Sequence, residues 1–195
     1  IVNVTPDSFS DGGVFADTEA AITHGVAMAE AGADIIDVGG ESTRPGAAPV
    51  DAAEDARRVL PVIGALASRG ICVSADTRHA PVMEAAIAAG ARIVNDVTAL
   101  TDDPVALSVV AKSDAAVVLM HMQGNPQTMQ INPTYAWAPG DVFDMLAARV
   151  KACREAGIAQ DRIAVDPGLG FGKTAAHSED ILDHIALFHG LGSAV

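Results

Sequence analysis

Twice in this chain an alanine-rich stretch ends in a glycine and gives way at once to a short β-branched run. The two copies are Ala31-Gly32-Ala33-Asp34-Ile35-Ile36-Asp37-Val38 and Ala89-Gly90-Ala91-Arg92-Ile93-Val94-Asn95-Asp96. Looser copies stand at Glu155-Ala156-Gly157-Ile158, ahead of Ile163, and at Leu191-Gly192-Ser193, ahead of Val195. Glycine takes the left-handed conformation at little cost, so each copy reads as a helix end followed by a buried strand. Helices are expected over 18–31, 53–69, 80–89 and 142–156. The strand runs are β-branched and lack polar alternation, the pattern of strands buried on both faces. Strand and helix thus alternate six times, and a seventh strand starts at Ala194-Val195. Such alternation predicts an α/β fold with a parallel sheet, either doubly wound and open or closed as a (β/α)8 TIM barrel.

How the runs end separates these two. Ile1-Val2 leads to Asn3, Ile35-Ile36 to Asp37, and Cys72-Val73-Ser74-Ala75 to Asp76. Ile93-Val94 leads to Asn95-Asp96, the run through Met120 to His121, and Ile163-Ala164-Val165 to Asp166. An open sheet gathers its site at one switch point, whereas here every strand carries a polar end. That suits a ring whose strand ends face one mouth, with about six βα units present and one or two more beyond Val195. The long connections at 5–15, 39–49 and 122–139 lie on the strand-to-helix side, where barrels keep their catalytic loops. We expect a single barrel domain over residues 1–195, cut at both ends, because residue 1 already lies inside an apolar run.

The formal charge of −13, from 25 acidic and 12 basic residues, argues against a nucleic-acid or anionic-membrane partner. It leaves room for a small anionic substrate held by one or two local arginines. No apolar run approaches a membrane span, and no basic n-region ahead of a cleavage site is seen, so secretion is not expected. Cys72 and Cys153 have no metal-ligand spacing and read as buried free thiols of a reducing cytoplasm.

Asp166-Pro167-Gly168-Leu169-Gly170-Phe171-Gly172-Lys173 imitates a nucleotide loop but fails on spacing. A P-loop would need glycine at Pro167, and a dinucleotide fingerprint starting at Gly168 would need it at Lys173. What remains is a loop of low bulk at Gly168 and Gly170, which lets a flat ligand approach the backbone above Asp166. Asp76, Asn95 and Asp166 together carry the acceptors and the amide that would read the N–H-rich edge of a pterin- or purine-like ring. Any one of them alone reads equally well as a cap for the following helix. Arg44, within Ser42-Thr43-Arg44-Pro45-Gly46, reads as a fork of donors for an anion, or as a surface ion pair with Glu41 or Asp51. His121 reads as a neutral histidine packed in the mouth, the other histidines as helix-surface or interfacial, and Met28, Met83 and Met145 as core.

In order along the chain, Asn3 to Gly13, Asp37 to Gly46, Val73 to Thr77, Asn95-Asp96-Val97, Met120-His121 with Gly124 and Pro126, and Asp166 to Lys173 closely resemble the dihydropteroate synthases, the folate-pathway enzymes that sulfonamides inhibit. The resemblance implies the barrel. It also implies a transferase that joins p-aminobenzoate to 6-hydroxymethyl-7,8-dihydropterin pyrophosphate with Mg2+, releasing dihydropteroate and pyrophosphate. Asp76, Asn95 and Asp166 would then hold the pterin as the catalytic set, with Met120 and Gly170 beside it. Asn3 would help place Mg2+ and pyrophosphate. Thr43, Arg44 and Pro45 would form the p-aminobenzoate loop, with Phe171 as an apolar wall. The amine nucleophile belongs to the substrate, in keeping with the absence of a Ser-His-Asp or Cys-His pattern. A cytoplasmic homodimer is implied for the full-length form. Ala75 departs from the family's isoleucine-like residue and is expected to loosen packing beside Asp76. The family's Ser-Arg-Lys and Arg-x-His segments would lie beyond Val195, so residues 1–195 alone are expected to be inactive. Two other readings are a pterin-binding barrel of the corrinoid methyltransferase type, which would lack the Thr43-Arg44-Pro45-Gly46 loop, and a non-catalytic pterin-binding relative.

Overall fold

The glycines that close the repeated units adopt the expected backbone. Gly32, Gly90, Gly157 and Gly192 have φ of 101°, 109°, 97° and 69°, and a strand or bridge follows each. The computed structural model describes residues 1–5, 13–44 and 46–195. Strands and helices alternate: β1 (Val2–Asn3), α1 (Gly13–Glu30), β2 (Ile36–Gly39), α2 (Ala52–Ala67), β3 (Val73–Asp76), α3 (Ala80–Ala88), β4 (Ile93–Asp96), α4 (Ala106–Ala111), β5 (Ala116–Met120), α5 (Ala138–Glu155), β6 (Ile163–Asp166) and α6 (Ala175–Asp183). The six strands form one parallel sheet in unbroken chain order. A doubly wound sheet reverses direction at its switch point, and this one does not. The seventh strand begins as expected: Ala194 pairs parallel with Ala164, and its carbonyl accepts from Val165 N at 2.8 Å.

The expectation of strands buried on both faces needs correction. On the helix-covered face Val2, Ile36, Val38, Val73, Ala75, Val94, Val117, Leu119, Ile163 and Val165 are all buried. The alternate positions form the inner face. There Asn3 is exposed and Asp37, Asp76, Asn95, Val118 and Asp166 are only half-buried. The period of two was hidden because four-residue strands offer two inner positions each, and several of these are Ala or Ser.

Apolar burial falls into two clusters. One joins β1–β3 to α1 and α2, and the other joins β4–β6 to α4–α6. Helix α3 serves both, with Val82 and Ala86 in the first cluster and Ala80 and Met83 in the second. Pro61 lies inside α2, yet the helix continues through it. An interior proline costs about 3 kcal/mol, whereas burial of Val59, Val62, Ile63 and Leu66 contributes about 1.5–3 kcal/mol per side chain. Packing wins.

Asp51 caps α2, its carboxylate accepting from Glu54 N at 2.8 Å. Asp51→Ala is expected to lower the unfolding free energy by about 1 kcal/mol, read as a shift in the urea midpoint at unchanged slope. Among the described residues no helix is long and apolar enough to cross a membrane. Cys72 and Cys153 are free thiols, Cys153 buried as expected and Cys72 only half-buried; Met83 is a fully buried core residue, whereas Met28 and Met145 are half-buried and pack against the two clusters.

Candidate active site

Strand register decides which polar ends meet. Asn3 pairs with Gly39, Gly39 with Asp76, and Asp76 with Asn95, while Met120 pairs with Asp166. In-register neighbours sit about 4.8 Å apart on the same face, so Asp76 and Asn95 stand side by side. Asn3, Asp76, Asn95, Met120 and Asp166 therefore occupy one rim of the inner face. Gly39 is the gap between Asn3 and Asp76: a Cβ there would lie 3.0 Å from Asp76 Oδ2.

The rim is crowded with carboxyl groups. Asp37 Oδ2 accepts from Asn95 Nδ2 at 3.2 Å, which orients the amide, while Asp37 Oδ1 is buried without a hydrogen-bond partner among the described residues. The Asp76 carboxyl accepts no hydrogen bond from the described residues. Burial pushes its pKa well above the usual carboxylate range, and Asp37, Asp55, Asp96 and Glu41 push it further. Burial also raises Asp37. A carboxyl in this state lacks a donor, and a ligand edge rich in N–H groups would supply one.

Asp166 stands differently. Its Oδ1 accepts from Gly168 N at 2.7 Å, so the capping alternative holds here in part, for a loop turn instead of a helix. Asp96, quoted beside Asn95, points to the opposite face. It is fully buried and accepts from Thr98 N, Thr98 Oγ1 and Leu100 N at 2.8, 2.8 and 2.9 Å, a purely structural role. Ala75, too, faces the helices and is 1% exposed. Its small size acts in the helix-side core, which corrects the expected loosening beside Asp76.

Thr43 does not join the rim. It lines a neighbouring cleft of about 390 Å³ together with Ser42, Pro49, Arg78, Asn125 and Pro126, and Asp76, Asn95 and Asp166 are absent from its walls. Gly46 N donates to Pro126 O at 2.9 Å, tying the β2–α2 loop to the β5–α5 loop. Arg44 is exposed, and the ion pair expected of it with Glu41 belongs to Arg78, whose Nε lies 2.9 Å from Glu41 Oε2 and which also pairs with Asp102. Pro45 and the 6–12 part of the first motif lie outside the described residues. Gly170 is exposed and Phe171 half-buried on the β6–α6 loop.

Sequence reasoning passed over three residues. Lys173, in a glycine-rich loop, is 3% exposed. Its ammonium lies 2.9 Å from His121 Nδ1. His121 is buried and neutral as expected, its pKa lowered to about 4 by burial and by Lys173. Asp55, on α2, is fully buried and accepts from Thr77 Oγ1 at 2.6 Å. Gly40 leaves room for its other oxygen, which would lie 2.5 Å from a Cβ there. Arg78 drew no attention because its partners are 37 and 24 residues away.

No group of three or more His, Cys, Asp or Glu side chains among the described residues could hold a metal ion. The described residues thus offer no resident cation cage. A single hard oxygen donor, the exposed Asn3 carboxamide, fits Mg2+ that arrives on a substrate's phosphates and keeps most of its water.

The comparisons with known proteins agree with this fold. The pterin binding enzyme family model matches residues 1–194. Dihydropteroate synthase of Escherichia coli K12 is 46% identical over 190 residues, covering 97% of this chain and 67% of that protein. The Xanthomonas albilineans dihydropteroate synthase with 4-aminobenzoic acid superimposes with a TM-score of 0.91 at 47% identity, over 98% of this chain and 68% of that one. The Yersinia pestis dihydropteroate synthase with a sulfonamide drug gives a TM-score of 0.91 at 44% identity, over 98% of this chain and 70% of that one. The chain spans about two thirds of the length of these relatives. With six parallel strands in chain order and a match running from its first residue almost to its last, the chain belongs to the pterin binding enzyme family.

Proposed function

We propose that this chain is the pterin-holding part of a dihydropteroate synthase, a transferase of folate biosynthesis and a sulfonamide target. The observation that carries the reading is the rim itself: Asp76 and Asn95 side by side on neighbouring strands and Asp166 on the same rim two strands further on, with Asp76 left short of donors. The N–H edge of a dihydropterin supplies those donors. In the reaction the bond from the pterin methylene to pyrophosphate breaks, and pyrophosphate leaves with the electron pair. The p-aminobenzoate nitrogen then forms the new C–N bond and loses a proton. Positive charge builds on the methylene and ring as pyrophosphate departs, and carboxylates fixed beside it stabilise that charge without reorganising. Holding the amine and the pterin together supplies much of the remaining acceleration.

In this reading Met120 packs on the pterin, Gly170 lets it approach the loop, and Phe171 walls the p-aminobenzoate side. Thr43, Arg44 and Pro45 are the p-aminobenzoate-binding residues of this reading. Asn3 would hold Mg2+ through its carboxamide oxygen, and the ion would supply charge neutralisation to the departing pyrophosphate. A cytoplasmic homodimer completes the reading and rests on family resemblance alone.

The test is pyrophosphate release from 6-hydroxymethyl-7,8-dihydropterin pyrophosphate by the full gene product with Mg2+. Release that requires p-aminobenzoate and is blocked by a sulfonamide is expected. Tight pterin binding without release would overturn the synthase in favour of a binding protein.

A further inference from the structure

Lys173 makes more contacts than a loop lysine needs. Its ammonium lies 2.8 Å from Gly168 O, 3.0 Å from Phe171 O, 2.9 Å from His121 Nδ1 and 3.2 Å from His121 O. Three N–H donors thus face four acceptors, one of them shared. Two of these residues also hold Asp166. Gly168 N donates to the Asp166 carboxylate at 2.7 Å, and His121 N donates to the Asp166 carbonyl at 3.0 Å.

We infer that Lys173 is a positioning residue for Asp166, its buried ammonium bracketing the β6–α6 loop against the end of β5 so that the carboxylate stands in one place on the rim. The inference deepens the proposed function and rests on it for the role of Asp166.

Further features of the loop fit a bracket. A Cβ at Gly168 would lie 2.0 Å from His121 O, and one at Gly172 2.5 Å from Gln123 O, so the two segments touch backbone to backbone. Tyr135 Oη donates to Gly172 O at 2.6 Å, closing the far side. The His121 ring accepts at Nδ1, which places its own proton on Nε2. Burial lowers Lys173 to about 8, with Asp166 acting in the opposite sense. The ammonium is kept by its acceptors on a side chain that is 3% exposed.

Two measurements on the full gene product decide the matter. In Lys173→Met, kcat/KM for the dihydropterin pyrophosphate is expected to fall about 10²-fold, the usual effect of a misplaced reacting group. In an Asp166→Ala background the same substitution is expected to cost less than about threefold, because the group it positions is gone. Equal losses in both backgrounds would mean general damage and overturn the bracket. Hydrogen exchange is independent of turnover. Lys173→Met is expected to release the amides of His121 and Gly168 while those of Val94 and Val117 stay protected. Unchanged protection at 121 and 168 would also overturn it. Should Lys173→Met fail to fold, Lys173→Gln, with two donors on a shorter stem, carries both comparisons. An unsubstituted protein without turnover would count against the proposed function alone, and the exchange result would still decide for or against the bracket.

Discussion

Asp166→Ala and Asp76→Ala are each expected to lower kcat/KM for the dihydropterin pyrophosphate by about 10²–10³-fold, the loss typical of one pre-oriented group aimed at developing charge. The two carboxyls start from different states. Asp166 is already oriented by Gly168 N. Asp76 has no such donor and its carboxyl is pushed well above the usual range. Ligand N–H groups favour the ionised form, so binding pulls the raised Asp76 carboxyl back down and releases a proton wherever the free carboxyl still carries one. Affinity for the pterin should therefore rise with pH up to the raised value of the free Asp76 carboxyl, and level off above it. In Asp76→Asn that slope should vanish. Asn at 76 would also turn donors toward a donor edge, so it is expected to do no better than Ala. The double variant should lose less than the product of the single losses, since both groups serve one transition state. Steady-state rates at several pH values, on the full gene product, check all of this.

Gly168→Ala is expected to destabilise the fold by about 3 kcal/mol or more, in the range of severe single substitutions. Its φ of 67° is left-handed, which costs a residue with a Cβ about 1–2 kcal/mol. The added Cβ would also lie 2.0 Å from the His121 carbonyl oxygen, a rigid backbone atom. Gly170 is a built-in control: its φ is 83°, yet a Cβ there meets nothing within 4 Å. Gly170→Ala should thus cost only the backbone strain, about 1–2 kcal/mol. The difference in urea midpoints between the two variants isolates the close approach. If they prove equally stable, the β6–α6 loop does not dock on β5 as described.

Much of the fold was legible because its signals are local. A helix, a glycine and a strand occupy consecutive residues, and the polar strand ends are adjacent to the runs they close. The rim was legible for the same reason: once the strands are parallel and in chain order, Asp76, Asn95 and Asp166 must share an edge. What stayed hidden depends on distant partners. Lys173 is found at the surface in most proteins, and only its approach to His121, 52 residues earlier, makes it a buried bracket. Asp55 looks like any acid in a helical first turn until Thr77 is brought against it. Glu41 was open to an arginine, but the choice of Arg78 over Arg44 is made by the β3–α3 turn, which no local pattern announces.

The sharing of α3 between the two apolar clusters has a consequence for how the chain matures. Each cluster is built from consecutive elements, so neither requires the chain to return from a distant part of the sequence. As the polypeptide leaves the ribosome, the β1–β3 half can bury its side chains as soon as α3 has emerged. Val82 and Ala86 seal that half, while Ala80 and Met83 remain as an apolar ledge on which β4 and its successors settle. The nine-residue helix is thus a template as well as a seam, giving each later βα unit a formed edge to add to.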